Sequence, residues 1–117
     1  MIKKILIPLF NDYVAPRFDL ATEVLITEVG DGADGKEKIV MLPNASAEQL
    51  CHMILMERIA AVICGGIEEE YYQYLKWKKI EVLDSVVGSW KDALTDFAMN
   101  KINPEISIPS KETKNDD

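Results

Sequence analysis

The sequence contains few of the residue types that build metal centres or disulfide frameworks. Its 117 residues include one histidine and two cysteines. Cys51 and Cys64 form neither a CxxC pair nor the spaced set of a disulfide scaffold, so both are expected to be reduced thiols. The single histidine, His52, cannot build a zinc site without partners. A structural zinc site is therefore not expected.

Positive charge and long apolar runs are also scarce. The chain has 13 Lys and Arg residues against 20 Asp and Glu residues, which gives a net charge of −7. Duplex nucleic-acid binders are usually basic, so nucleic acid is not an expected partner. No stretch approaches the roughly 20 apolar residues of a membrane span, and the opening apolar run ends at Pro8, too early for a signal peptide. We expect a cytoplasmic protein without a membrane partner.

The rest of the composition is ordinary for a globular protein. Hydrophobic residues make up 48% of the chain and charged residues 28%, and this length suffices for one domain with a core of its own. We assign residues 1–103 to that domain. Residues 104–117 are polar with two serines and two prolines among them, and they are expected to form a C-terminal tail.

Hydrophobic periodicity divides the domain into strands and helices. Short apolar, β-branched runs predict five strands, at residues 2–8, 21–29, 37–42, 60–64 and 80–83. Longer patterns predict three helices, at about residues 46–58, at residues 67–79, and from Ser89 onward. The first and third helices begin at serines that suit N-cap positions. The connection at residues 9–19 is too long for a hairpin turn, and loops of this length in small domains are often functional.

Helical spacing also predicts which side chains face the core. On the first helix they are Ala47, Leu50, Cys51 and Ile54. On the second helix they are Ile67, Tyr71, Tyr74 and Leu75. These stripes require a sheet surface to pack against.

The order of strands and helices predicts a three-layer α/β/α sandwich. It contains three helices and a five-stranded mixed sheet of order 3-2-1-4-5 in which strand 2 is antiparallel. Right-handed crossovers place the first two helices on one face, and the third covers the other. The first and fourth strands are then parallel neighbours whose connections leave in opposite senses, so a crevice is expected at their carboxyl ends. Its predicted walls are the 9–19 connection and Gly65-Gly66.

Two motifs beside this crevice resemble a known family. They are Ala-Pro-Arg-Phe-Asp at residues 15–19, preceded by Pro8 and Asn11, and Cys-Gly-Gly-Ile at residues 64–67. Together they resemble the dinitrogenase iron-molybdenum cofactor biosynthesis family, also called the nitrogenase accessory-factor domain, over residues 2–102. The resemblance implies a ribonuclease H-like fold. It also implies binding or carriage of an iron–sulfur or molybdenum-containing cluster, or of its precursor, with a protein that donates or accepts the cofactor as a partner.

Five residues near the crevice are the candidates for cofactor binding: Asn11, Arg17, Gly65, Gly66 and Ile67. A guanidinium such as that of Arg17 offers several donors in a fixed fork to an anionic cluster or oxoanion. The alternative is a contact with Asp12 or Asp19 that only holds the loop. The two glycines let backbone approach a ligand closely, or else they simply form a tight turn into the second helix.

Two further residues are candidate metal ligands. Cys64 ends the fourth strand beside the glycines, where a thiolate would suit iron, copper or molybdenum, although a buried cysteine also packs well as a core residue. His52 is the second candidate. Its helical spacing places it opposite the buried stripe, which favours a solvent-exposed histidine.

No catalytic constellation is evident, and we expect a binding protein rather than an enzyme. The sequence contains no Ser-His-Asp set, P-loop or GxGxxG motif. A nuclease of the ribonuclease H type needs converging carboxylates, and the first strand has none. Two alternatives remain. One is a metal-free interaction or regulatory module, and the other is a metal-dependent phosphodiesterase that uses Asp12, Asp19 and Asp84.

Overall fold

One six-stranded mixed sheet, flanked by helices on both faces, forms the frame of the protein. The computed structural model describes residues 2–33 and 35–102, so the predicted tail at 104–117 lies outside the described residues. The strands are β1 (Lys3–Phe10), β2 (Tyr13–Val14), β3 (Glu23–Val29), β4 (Glu37–Met41), β5 (Ala61–Ile63) and β6 (Glu81–Leu83). The helices are α1 (Ala47–Met56), α2 (Glu69–Trp77) and α3 (Trp90–Ile102), with a short 3-10 helix at Phe18–Leu20.

The strands lie in the order β4-β3-β1-β5-β6, and β2 pairs with the end of β1 outside this path. β3 is antiparallel to β1 and β4, whereas β5 is parallel to β1 and β6. The predicted mixed sheet with three helices is therefore confirmed. The sixth strand, β2, was not predicted, because a two-residue strand is too short to show a hydrophobic period.

Alternation along the central strands sends apolar side chains into two cores. Leu6, Val24 and Val62 pack with α1 and α2 on one face. Ile5 and Leu25 pack with α3 on the other. Because helices cover both faces, the central strands contain nearly continuous apolar runs, and this explains why β1 reads as an isoleucine-rich block.

Local capping sets the helix starts. Ser46 Oγ accepts a hydrogen bond from the Gln49 N–H at 3.2 Å, and Ser89 Oγ accepts one from the Asp92 N–H at 3.1 Å. The predicted buried face of α1 is confirmed, since Ala47, Leu50, Cys51 and Ile54 are all buried.

The second helix differs from its prediction at both ends and on its inner face. It starts at Glu69 rather than residue 67, because Glu68 is still extended with ψ at 146°. It ends at Trp77, and Lys79 takes a left-handed φ of 69°. Leu75 is buried, but Tyr74 is exposed, so its predicted place in the core is wrong. No helix within the described residues is long and apolar enough to cross a membrane.

Candidate functional site

The connection after β1 is an ordered hairpin and short helix rather than the predicted long loop. β1 continues past Pro8 to Phe10, and a turn at Asn11 with φ of 56° leads into β2. Pro8 has no N–H to donate, but its carbonyl accepts the Ala15 N–H at 2.8 Å. The predicted end of the strand at Pro8 is therefore wrong, because β2 folds back and pairs with the last residues of β1.

The two distant motifs meet through their backbones. The Gly66 N–H donates to the Pro16 carbonyl at 2.7 Å, and the Phe18 N–H donates to the Gly66 carbonyl at 2.8 Å. The predicted approach of these segments is present, but the contact is closed rather than a crevice between two walls. The Gly66 N–H is therefore used in a hydrogen bond within the protein rather than directed at a ligand.

Gly65 is required by this contact for a steric reason. A Cβ atom at this position would lie 2.4 Å from the Ala15 carbonyl oxygen and 2.7 Å from that of Pro16. At Gly66 the nearest atom to such a Cβ would be the Pro16 oxygen, at 3.3 Å. The Cys-Gly-Gly motif thus lets two backbones pack against each other, and Ile67 follows it half-buried against the α1/α2 core.

The hairpin is held on a second side by the connection between β6 and α3. The Val14 N–H donates to the Gly88 carbonyl at 2.9 Å, and the Trp90 N–H donates to the Asp12 carbonyl at 3.1 Å. Asn11, a predicted cofactor-binding residue, lies exposed at the turn of this hairpin. The chain between β1 and β3 is therefore held from two directions by backbone hydrogen bonds.

A cavity of about 340 Å³ lies on the outer side of this connection. Its lining comes from residues 9–10, 15–17 and 20–22. Most of the lining is apolar, and two of its large side chains are widely exposed, Phe10 at 63% and Leu20 at 61%. Sequence reasoning missed both. The sequence shows large apolar residues at these two positions, but it does not show that they are exposed.

Arg17 is the one cation in the lining of this cavity. Its Nε and Nη2 atoms donate to the two carboxylate oxygens of Asp19 at 3.0 and 2.7 Å. This bidentate bond lowers the pKa of Asp19 and raises the pKa of Arg17. The predicted alternative, a loop-holding contact, is therefore present. A guanidinium has five donors and this side chain is 55% exposed, so the contact leaves Arg17 accessible from solvent.

The candidate metal ligands lie elsewhere. Cys64 is completely buried among core residues, and burial, with a smaller effect from Asp84, raises the pKa of its thiol to about 12. A thiol with such a pKa is protonated at neutral pH in the absence of metal, and with no exposed surface it is out of reach of a cluster in solvent. Cys64 thus lies where the alternative placed it, as a buried core residue.

His52 is exposed on α1. It borders a separate cavity of about 450 Å³ between α1 and α2, together with Glu48 and Tyr71. Within residues 2–33 and 35–102, no group of three or more His, Cys, Asp or Glu side chains is placed to hold a metal ion. Asp12, Asp19 and Asp84 accordingly do not form the carboxylate set that the phosphodiesterase alternative needs.

Comparisons with known proteins agree with the fold. No protein-family model matches the chain, and no curated protein matches it. Among solved structures, the chain resembles the protein PH0822, with a TM-score of 0.74 and 20% identity over 83% of this chain and 89% of that one.

Two further neighbours have names related to nitrogenase. One is a protein of Methanocaldococcus jannaschii named “putative dinitrogenase”, with a TM-score of 0.66 and 25% identity over 90% of this chain and 92% of that one. The other is a Thermotoga protein named “putative NifB protein” of the DUF35 family, with a TM-score of 0.66 and 17% identity over 85% and 90% of the two chains. At these identities the comparisons show the fold, and they support a nitrogenase-related family only loosely.

Proposed function

We propose that this chain is a small carrier protein that binds a preassembled anionic metal–sulfur cluster, or its anionic precursor, in the cavity beside Arg17. The motifs at residues 15–19 and 64–67 resemble those of the nitrogenase accessory-factor domain. The names of two structural neighbours point the same way. The cluster is cargo in this proposal, so the protein binds it and hands it on to an acceptor without catalysing a reaction.

The observation that carries the proposal is an apolar cavity with a single accessible cation at its edge. Its volume of about 340 Å³ lies at the small end of the range for ligand sites. A compact cluster has a polarizable sulfide surface, which suits contact with side chains such as Leu9, Phe10 and Leu20. Its negative charge suits the guanidinium of Arg17, which presents donors in a planar fork.

The proposed mode of binding is retention of a whole cluster by shape and charge rather than ligation by protein thiolates. Cys64 is buried with a raised pKa, and the same holds for Cys51, whose pKa is about 11. Binding would therefore be reversible, as a carrier requires. It would also compete with Asp19, because the cluster and this carboxylate use the same guanidinium.

We also infer that the sheet belongs to the ribonuclease H-like class implied by the family resemblance. The path β4-β3-β1-β5-β6, with β3 antiparallel and helices on both faces, supports this assignment. Fold alone does not decide activity. The assignment adds no nuclease function to the proposal.

Anaerobic purification from the native host, with iron and molybdenum analysis and a visible absorption spectrum, tests the proposal. Wild-type protein should be coloured and contain metal. Arg17→Ala should lose both while its melting temperature stays nearly unchanged, because the Arg17–Asp19 contact is exposed.

The chain offers a matched control, since Arg58 is its other arginine. Arg58 is exposed after α1, at the amino end of β5, so Arg58→Ala changes the net charge equally without touching the cavity. It should keep its metal. A colourless, metal-free wild-type protein would contradict the carrier proposal.

A second candidate function, a metal-free interaction module, is favoured by the exposed apolar rim of the cavity. This rim consists of Phe10 and Leu20, which line the cavity and are both widely exposed. Under this alternative, a colourless protein would co-purify with a partner, and Phe10→Ser with Leu20→Ser would release that partner. Under the carrier proposal, the same rim would receive the donor or acceptor protein.

A further inference from the structure

The edge strand β4 presents an open row of backbone hydrogen-bonding groups. Within the described part of the chain, β3 is the strand that pairs with it, and no strand lies on its other side. Its apolar side chains are also uncovered, since Ile39 is 55% exposed and Met41 is 65% exposed. Open edges of this kind are templates for pairing with another strand.

The direction of each backbone group along β4 follows from one hydrogen bond. The Leu42 N–H donates to the Thr22 carbonyl at 2.8 Å, next to the Met41–Glu23 pair. Successive residues of an antiparallel strand point their N–H and C=O groups to alternate sides. Lys38 and Val40 therefore bond to β3, like Leu42.

The remaining residues of β4 face outward. They are Glu37, Ile39 and Met41, each with one N–H and one C=O directed away from the sheet. The opposite edge of the sheet offers much less. β6 is three residues long, and the carboxylate of its first residue, Glu81, lies 3.8 Å from the ammonium group of Lys3 on β1. Of the two edges, β4 is the one suited to accept a strand.

We propose that β4 pairs antiparallel with β4 of a second copy of this chain, on a two-fold axis through Ile39. In this register Ile39 lies opposite the second copy's Ile39, and Glu37 lies opposite its Met41. All outward N–H and C=O groups then find partners. Lys38 lies opposite the second copy's Val40, so no two like charges face each other.

The neighbouring registers that keep each side chain on its own face are worse. A shift in one direction places Lys38 opposite the second copy's Lys38, which is destabilising. A shift in the other direction brings Pro43 opposite Glu37, and proline has no N–H to donate. The register centred on Ile39 avoids both faults and also gathers Ile39 and Met41 of the two copies on one face. This self-complementarity is the reason to choose a second copy as the occupant.

Molecular mass as a function of concentration tests the proposal. Analytical ultracentrifugation of the full chain should give 13.2 kDa at low concentration and twice that mass at high concentration. Ile39→Pro should abolish the dimer, because it removes an outward N–H while leaving the bonds to β3 intact. Ile39→Val should retain it. A wild-type protein that stays monomeric, or an Ile39→Pro variant that still dimerises, would overturn the proposal.

A second variant keeps the test decisive if the proline variant fails to fold. Ile39→Lys would place two ammonium groups opposite each other across the axis, so it should give a folded monomer at every concentration. A folded Ile39→Lys variant that still dimerises would overturn the proposed register.

Amide hydrogen exchange gives a residue-level readout. The amides of Lys38 and Val40 should be protected at every concentration, because they bond to β3. Those of Glu37, Ile39 and Met41 should become protected only as concentration rises. Protection of these outward amides that is independent of concentration would instead identify a segment of the same chain, such as residues 103–117, as the occupant. That result, like an absence of any protection, would overturn the proposal.

Discussion

The connection between β1 and β3 has two sides that are built differently. On its inner side, backbone bonds to Gly66 and Gly88 and the close approach of Gly65 leave no space. On its outer side lies a cavity of about 340 Å³ with exposed Phe10 and Leu20 and an accessible Arg17. Glycines beside a strand end can therefore serve chain packing, while a cavity opens on the other side of the chain they support.

The largest expected effect on stability is the difference between alanine variants of Phe18 and Leu20. Both residues lie in the short helix, but Phe18 is buried and Leu20 is exposed. Phe18 is 1% exposed and packs in the core near Tyr71, so Phe18→Ala should lower the free energy of unfolding by about 3–5 kcal/mol. Leu20→Ala, on the cavity side, should change it little. Denaturant unfolding measures both. Equal losses for the two variants would mean that the outer side is as tightly packed as the inner side.

The next largest effect is the difference in stability between alanine variants of the two glycines on the inner side. Gly65→Ala should cost about 1–3 kcal/mol, because its new methyl group would collide with backbone oxygens that cannot move independently. Gly66→Ala should cost less, since its nearest atom would be 3.3 Å away. The same unfolding experiment measures both. A larger loss at Gly66 would show that this position, rather than Gly65, sets the approach of the loop.

The pH dependence of stability tests whether the pKa of Cys64, the buried thiol next to Gly65, is raised. Burial raises the pKa of Cys64 from 9.0 to about 12, so the thiol stays protonated in the folded protein after it ionises in the unfolded chain. The contribution of this thiol to the free energy of unfolding is complete below pH 9. It is lost as the pH rises towards 12, with a slope of about 1.4 kcal/mol per pH unit. Unfolding curves across this range should show a shallower slope for Cys64→Ala than for the wild type.

The smallest expected effect concerns the outer side alone. Asp19→Asn removes the carboxylate that occupies the Arg17 guanidinium, so the affinity for an oxoanion such as molybdate should rise a few-fold. Titration calorimetry with molybdate should give the highest affinity for Asp19→Asn, a lower one for the wild type and the lowest for Arg17→Ala. In the wild type, lowering the pH through the depressed pKa of Asp19 should release the same contact, since the protonated carboxyl no longer pairs with Arg17. Weaker binding by Asp19→Asn would assign Asp19 to positioning Arg17 rather than competing for it.

Local patterns in the sequence predicted a large part of the fold. The buried stripe of α1 and the serine caps of α1 and α3 depend on helical spacing and on one side chain bonding to a nearby amide. These are short-range effects, and the structure confirms them. The predicted start of α2 was wrong because of contacts between distant segments. The pairing of Gly66 with Pro16 and Phe18 keeps the chain extended up to Glu68.

The candidate site was predictable only in part. The motif containing Arg17 was identified from the sequence, and so was its possible contact with Asp19, two residues away. Phe10 and Leu20 were missed, because their exposure depends on where the hairpin and short helix settle against Gly66 and Gly88.

Periodicity and capping act over a few residues, so the order of residues alone was enough to predict five of the six strands, the three helices and the side-chain chemistry at each position. Packing between distant segments set the surroundings of that chemistry. It used the two glycines to bring distant backbones together, placed Cys64 in the core where its thiol stays protonated, and left a cavity on the opposite side of the connection. Each of these outcomes depends on which distant segments pack together and exclude water, and that is a property of the folded chain.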